Sequence, residues 1–417
     1  MRKNSNTPMK KEAKAKRAKA QRPVQRETKE VLAELVEKLK GKLEPKATPA
    51  SPGKAGQRPE LSPNLDRLTV GVDLGDQWSR YCILGLQGET FSEGSLQTRQ
   101  AALAEFFQAL PPARVVIEVG THSPWVQEVI TGEGHEVLVA NPRLMDGSKR
   151  RKRKNDRIDA HKLARLGRVD PESLHPITHR SREVRQDLVL LRARDALVEA
   201  RTQLINATRG LVKSLGTRLP RCSSESFGHN AEDGIPAEVR EALLPLVQLA
   251  DGMSACVQDY DRRVKELASE KYGHTKLLRQ VKGVGPLTSL AYVLTLENPK
   301  RFIKSRDVGP YVGLVPKQED SGESQPQLGI SKAGDTMVRK LLVGSAQYIL
   351  GPFGPDTDLR RYGLRLCERG GKNAKKRAAV AVARKLAVLL HRLWVSGEVY
   401  QPLGYASSAA KVQKAVA

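Results

Sequence analysis

The chain has 417 residues, room for two or three domains, and carries 71 Lys+Arg against 46 Asp+Glu, a formal net charge of +25. That excess points to a polyanion; no apolar run approaches the roughly 20 residues that span a bilayer and there is no secretory segment, so nucleic acid is the expected partner and a membrane is not. Cys82, Cys222, Cys256 and Cys367 are far apart and form no CxxC pair, which argues for a reducing cytosol over a zinc site or disulfide framework, and aromatics at 4% argue against base stacking as the main binding mode.

Residues 1–66 read as a basic, mostly disordered extension: a Lys/Arg/Ala-rich run, then a Pro/Gly/Ser linker. Between them Val31, Leu32, Leu35, Val36 and Leu39 mark one short amphipathic helix. From 67 to 175 the pattern is α/β. Strands are expected at Leu68–Leu74, Arg80–Leu86, Glu89–Gly94, Arg114–Glu118 and HEVLVAN. Helices are expected near Thr98–Leu110 and from Ser123, with Ser123 as N-cap, Pro124 at the first helical position and Gly132 or Gly134 as the stop. The order predicts a mixed sheet with Glu118 at a strand's carboxyl end.

Residues 176–275 read as two long helices joined by a polar loop, Arg221–Gly234, in an antiparallel hairpin or coiled-coil arm, a dimerisation device or else a spacer. Residues 276–396 read as a mainly helical domain that opens on helix, Gly-Val-Gly hairpin, helix. Gly283 and Gly285 there would aim backbone N–H groups at a phosphate. A basic helix with an apolar back follows near the end of the domain, its charge on a solvated or DNA-facing edge, and 397–417 form a tail.

Four carboxylates stand out against this outline: Asp73 in VGVDLG, Glu118 in RVVIEVG, and Asp156 and Asp159 in KNDRIDA. Asp73 and Glu118 each end an apolar run, and buried unpaired carboxylates cost several kcal/mol, so they need a cation. Asp156 and Asp159 are at i and i+3 and share a face if helical. Carboxylates on adjacent strands and a facing helix are the means of holding Mg²⁺ for phosphodiester chemistry. Gly71 and Gly75 beside Asp73 would admit a metal or phosphate. The run Lys149, Arg150, Arg151, Lys152, Arg153 and Lys154 immediately before the Asp pair would deliver a nucleic-acid backbone.

VGVDLGDQ, VVIEVGTHS and RKNDRIDAHKLARL resemble the RuvC-like DEDD domain of a group of bacterial insertion-sequence transposases. GVGPLTS and YVGLVPKQEDSGESQPQLGISKAGDTMVRKLL resemble the second conserved domain of the same proteins, and the likeness covers about 68–395. The resemblance implies a ribonuclease H-like (RuvC-like) α/β domain, a helical coiled-coil arm and a mainly α-helical transposase domain with a helix-hairpin-helix. It implies DNA cutting and rejoining on Mg²⁺ held by Asp73, Glu118, Asp156 and Asp159, with a serine nucleophile that forms a covalent DNA intermediate. The serine matching the family's Ser-Gly motif is Ser321, before Gly322, and Lys332 and Arg339 would contact the phosphate. The implied partners are donor and target DNA, a structured non-coding guide RNA and further copies of the chain as a dimer or tetramer, in a bacterial cytoplasm at the nucleoid. Two other readings fit the residues alone: a RuvC-type structure-specific endonuclease using two-metal hydrolysis, and a non-catalytic nucleic-acid scaffold. The first leaves the second domain unused, and in the second four acids would weaken DNA binding unless metal neutralised them.

Overall fold

The computed structural model describes residues 64, 66–145, 156–318 and 328–403, with Asp156 and Arg157 described by backbone alone. The expected extension helix around Val31–Leu39, the basic run 149–154 and Ser321 with Gly322 lie outside the described residues. The chain divides into two compact units, with the boundary between His179 and Arg180.

The first unit is built on a five-stranded mixed sheet: β1 (Thr69–Asp73), β2 (Trp78–Leu84), β3 (Thr90–Gln97), β4 (Arg114–Glu118) and β5 (Glu136–Ala140), in the order β3-β2-β1-β4-β5. The first three strands form an antiparallel meander, and β4 and β5 add on in parallel beside β1. Parallel strands require crossovers, supplied by α1 (Gln100–Gln108) and α2 (Ser123–Gly132). Strand alternation sorts the two faces. Val70, Val72, Val115 and Ile117 pack with Leu103, Phe107, Val126 and Ile130 of α1 and α2. The opposite face presents Cys82, Leu84, Val116 and Leu138 to α3 (Asp156–Val169) through Ala160, Leu163 and Ala164. A side chain such as Phe107, fully buried, contributes about 1.5–3 kcal/mol.

The α2 start differs from expectation. His122 is the N-cap and Ser123 is already helical, because the Ser123 hydroxyl donates back to the Gly120 carbonyl (2.8 Å) and accepts from the Gly120 N–H (3.0 Å).

In the second unit α4 (Arg182–Ser214) and α6 (Ala237–Glu270) run antiparallel. Arg194 pairs with Asp261, Arg201 with Ser254, and Asp187 with Lys271. The expected polar loop between them contains a helical turn, α5 (Phe227–Ala231), because Phe227 and Ala231 at i, i+4 bury among Ile205, Val212, Leu243 and Val247. At the other end Leu188, Leu191, Val264 and Ala268 join a large core with the helices that follow. These are α7 (Thr275–Leu278), α8 (Pro286–Leu296), α9 (Val308–Tyr311), α10 (Thr336–Leu350), α11 (Asp358–Glu368) and α12 (Ala374–Ser396). Every residue of α8 from Thr288 to Leu296 is buried, so it is the central helix of this core, enclosed on all sides. Its Tyr292 hydroxyl donates to the Ala387 carbonyl of α12 at 2.7 Å. The chain after α12, expected to be a tail, returns to the core: Tyr400 is buried and its N–H bonds Gln280. No described helix is long and apolar enough to cross a membrane.

Candidate active site

Three of the four predicted carboxylates are fixed by the sheet and the helix on it. Val72 of β1 pairs with Ile117 of β4 in parallel register, so the next residues, Asp73 and Glu118, lie side by side at the carboxyl ends of their strands. Each is in phase with the residues that face α3, Gly71 for Asp73 and Val116 for Glu118, and each is half-buried. The direction of α3 follows from its close contacts. A Cβ at Gly71 would lie 2.1 Å from the Ala160 carbonyl oxygen, whereas one at Gly167 would lie 2.2 Å from Val116 Cγ2 and 3.6 Å from Thr69 Cγ2. The helix therefore runs against β1 and brings its amino end, with Asp156 and the half-buried Asp159, to the edge where β1 and β4 stop.

Gly71 thus has a different use from the one expected. Its missing side chain admits the backbone of α3, and that of Gly75 admits the Trp78 carbonyl, 2.1 Å from where a Cβ would stand. Neither is left over for a metal or phosphate. Among the described residues no three His, Cys, Asp or Glu side chains form a metal-holding group; the Asp156 side chain is not among those described.

The same edge holds groups that sequence reasoning passed over. Arg80 of β2 is the direct cross-strand partner of Asp73 in the antiparallel ladder. Opposite charges so placed contribute about 0.2–1 kcal/mol. After Glu118 the chain turns into His122, whose Nε2 lies 3.5 Å from Asp76 in the loop after β1. The Trp125 indole donates to His122 Nδ1 at 3.2 Å, which leaves the His122 proton on Nε2, toward Asp76. Ser123 Oγ is also 3.0 Å from His179 Nε2. Only the motifs VGVDLGDQ and VVIEVGTHS, which contain Asp76 and His122, gave a signal for these residues.

In the second unit Gly283 adopts φ +97° and packs its backbone on α10, where a Cβ would meet Ser345 O at 3.2 Å and Tyr348 at 3.0 Å. Gly285 is exposed, N-caps α8 with Pro286 next, and accepts from Ser289 N–H. Ser321 and Gly322 lie outside the described residues, but the chain on either side is paired: Lys317 N–H bonds Gly329 O, Ser331 N–H bonds Val315 O, and Pro316 bridges Ile330. Lys332 is exposed, with φ +54°.

Arg339, expected at a phosphate, is 9% exposed. Its guanidinium donates to the Val312 and Ala333 carbonyls and to Thr336 Oγ1, and so clamps the turns flanking the Pro316–Ile330 bridge. Those carbonyls have to be satisfied internally, and an arginine at a helix start is within reach.

Residues 70–216 match the family DEDD_Tnp_IS110, described as a transposase, and residues 275–358 match Transposase_20, the transposase IS116/IS110/IS902 family; together the two matches span more than half of the chain. The transposase for insertion sequence element IS1111A of Coxiella burnetii is 27% identical over 80% of this chain and 91% of its own length. A probable family 20 transposase of Pseudomonas aeruginosa is 28% identical over 81% of this chain and 99% of its own. The transposase for insertion sequence element IS1328 of Yersinia enterocolitica is 27% identical over 67% and 82%. The DEDD domain implies a ribonuclease H-like fold, with which the mixed sheet and its flanking helices agree. With both conserved domains present and in order, the chain belongs to the IS110/IS116/IS902 family of DEDD transposases.

Proposed function

We propose that this transposase cuts and rejoins DNA at a divalent cation, Mg²⁺, held by Asp73, Glu118, Asp156 and Asp159, with Ser321 as the nucleophile. The observation that carries the reading is the meeting of the carboxyl ends of β1 and β4 with the amino end of α3 on one sheet edge. The donor set there is carboxylate oxygen, which suits a hard cation such as Mg²⁺. A bound Mg²⁺ would polarise a phosphoryl oxygen and stabilise charge on the entering and leaving oxygens. Asp73 and Glu118 are set without it: Arg80 lies across from Asp73, and the strands fix Asp73 and Glu118 as neighbours.

Ser321 Oγ would form a bond to the DNA phosphorus as the phosphate's bond to one sugar oxygen breaks. The serine proton passes to a base and the departing sugar oxygen leaves as a hydroxyl. Attack on the phosphoserine by a sugar hydroxyl of another strand regenerates the serine and rejoins DNA with no net loss of a phosphodiester. Arg339 holds the turns on either side of the Ser321 segment, a positioning role in place of the expected phosphate contact. Lys149–Lys154, Lys332 and the Gly283–Gly285 turn, as a helix-hairpin-helix, would hold the DNA backbone. The antiparallel α4/α6 pair supports a coiled-coil arm for a dimer or tetramer, whose protomers would bring carboxylates and serine together. Target choice would rest with a structured non-coding RNA, and the site of action would be the nucleoid in the bacterial cytoplasm. The proposed domains are 1–66, 67–175, 176–275, 276–396 and 397–417.

A nicked suicide DNA tests this. Wild type should yield a covalent protein–DNA adduct in Mg²⁺, Ser321→Ala should yield none, and a wild-type reaction that ends in free 5′-phosphates without adduct would replace this reading with two-metal hydrolysis.

A further inference from the structure

We infer that the groove between α11 and α12 is a binding site for the sugar-phosphate backbone of duplex DNA, leading to the chain segment that carries Ser321; the destination, though not the binding, rests on the serine reading above. The groove measures about 1410 Å³ and is lined by nine Lys or Arg side chains against a single carboxylate, Asp358. Among the described residues Lys317, Lys372, Lys376 and Arg384 make no ion pair, and all four are exposed. Unpaired cations packed together repel one another, and a polyanion relieves that repulsion by displacing counterions.

The arrangement is a track. On α12 the cations recur along one stripe, Lys376 and Arg377, then Arg384 and Lys385, then Arg392, with Ala381 and Val388 between them. From Arg377 to Arg392 the helix rises about 22 Å at 1.5 Å per residue, the length of roughly six phosphates of one duplex strand at 3.4 Å each. The floor is apolar, so the charges stand at the rims, where a ridge of backbone would meet them.

The occupant is duplex because the groove offers no platform for unstacked bases. The face of Tyr362 is covered by Lys385 Nζ, 4.1 Å from the ring centroid, and Tyr400 is buried. It is DNA because of where the track ends. Lys317, Gln318, Leu328 and Gly329 line the groove, and they stand at the two ends of the segment that holds Ser321. A strand lying along α12 would thereby approach both ends of the segment that carries the proposed nucleophile.

The test uses the full chain and fluorescence anisotropy with a short labelled DNA duplex across a salt series. Lys376→Gln/Arg384→Gln should weaken binding about tenfold or more and flatten the log affinity–log salt slope by roughly two. Lys376→Arg/Arg384→Lys should bind like wild type. Lys213→Gln/Lys265→Gln removes two exposed charges from α4 and α6, outside the groove, and should leave the slope within about one unit of wild type. A groove variant indistinguishable from that control overturns the site, and one that loses a structured RNA while keeping duplex DNA overturns its assignment to DNA. Ser321→Ala separates the two claims: it should keep duplex binding and lose the covalent adduct. An adduct from Ser321→Ala would remove the serine reading and leave the binding result standing.

Discussion

The two units prepare for phosphate chemistry in opposite ways. The carboxylate edge of the first unit is made by secondary structure itself: two strands stop together, a helix begins above them, and the side chains on offer are acids. The groove of the second unit is made by tertiary packing of two helices against a bridged pair of short segments, and its side chains are cations. The first, on the proposed reading, would hold a cation in position with little freedom. The second suits a long anion that slides into register. A transposase has need of both, and the fold sets the carboxylate edge and the cationic groove in different units.

The sharpest way to break this contrast is at Asp73. Asp73→Asn removes one charge from the edge and should lower strand cleavage by about three powers of ten, since metal stabilisation of the reacting oxygens is worth several kcal/mol and each 1.36 kcal/mol is tenfold. Duplex binding should be unchanged or slightly stronger. Cleavage and anisotropy on one preparation check this; a variant that loses binding along with cleavage would show that the two units do not divide the work.

Next in size is Gly71. Valine there would drive its branched side chain into the Ala160 carbonyl and the Ala164 nitrogen of α3, both under 2.5 Å from the Cβ position. Rigid backbone leaves little room to adjust, so Gly71→Val should cost about 3 kcal/mol and move α3 off the edge. Hydrogen exchange should then rise in β1 and α3 while α8 and α12 keep their protection. If activity survives with α3 displaced, Asp156 and Asp159 are not where the chemistry needs them.

A smaller effect depends on pH. His135 is 4% exposed, accepts the Ala113 N–H on Nδ1 at 3.1 Å and sets Nε2 2.9 Å from the Phe107 carbonyl, so it is neutral with its proton on Nε2. Burial pushes its pKa below the usual 6.5, against the smaller opposing pull of the Phe107 carbonyl and Glu133. A lowered folded pKa means that the unfolded chain takes up the proton first. The histidine's contribution is therefore complete above about pH 6.5 and is lost as the pH falls from there toward the folded value. The first unit should lose denaturant stability over that window, and His135→Leu should flatten the pH dependence while costing about 2 kcal/mol for the two backbone groups left unpaired.

The sequence disclosed the first unit more fully than the second for a physical reason. Strand ends are marked by where apolar alternation stops, so Asp73 and Glu118 were legible as neighbours before any coordinate, and the i, i+3 spacing of Asp156 and Asp159 placed them on α3. Register is not so marked, and Arg80 opposite Asp73 and His122 beside Asp76 emerge only once the strands are aligned. The groove draws on residues 306–402 from several elements, so no local period announces it; α12 alone showed a charged edge. Arg339 shows the converse error, a cation that reads as surface from its neighbours and is buried because nearby carbonyls require a donor.

Lys340 gives the smallest effect and the finest distinction. It lies beside Gly283, Gly285 and Thr288 at the proposed hairpin, where its position alone suggests a phosphate contact. Yet its ammonium is already matched, 2.8 Å from Asp195 Oδ1 and 3.3 Å from Glu199 Oε1 on α4, and the Asp195 hydrogen bond holds its pKa above the usual lysine value. The side chain is half exposed, so solvent screens the pair and Lys340→Ala should cost at most about 1 kcal/mol. The salt slope for duplex DNA should stay the same, because a cation already neutralised by two carboxylates releases no counterions when DNA arrives. A drop in slope of about one unit would show that Lys340 exchanges its carboxylates for a phosphate, and the hairpin would then join the α11–α12 groove as a second contact. Without that drop, the +25 of the whole chain overstates the charge that meets DNA, and the working fraction is the part the fold leaves unpaired.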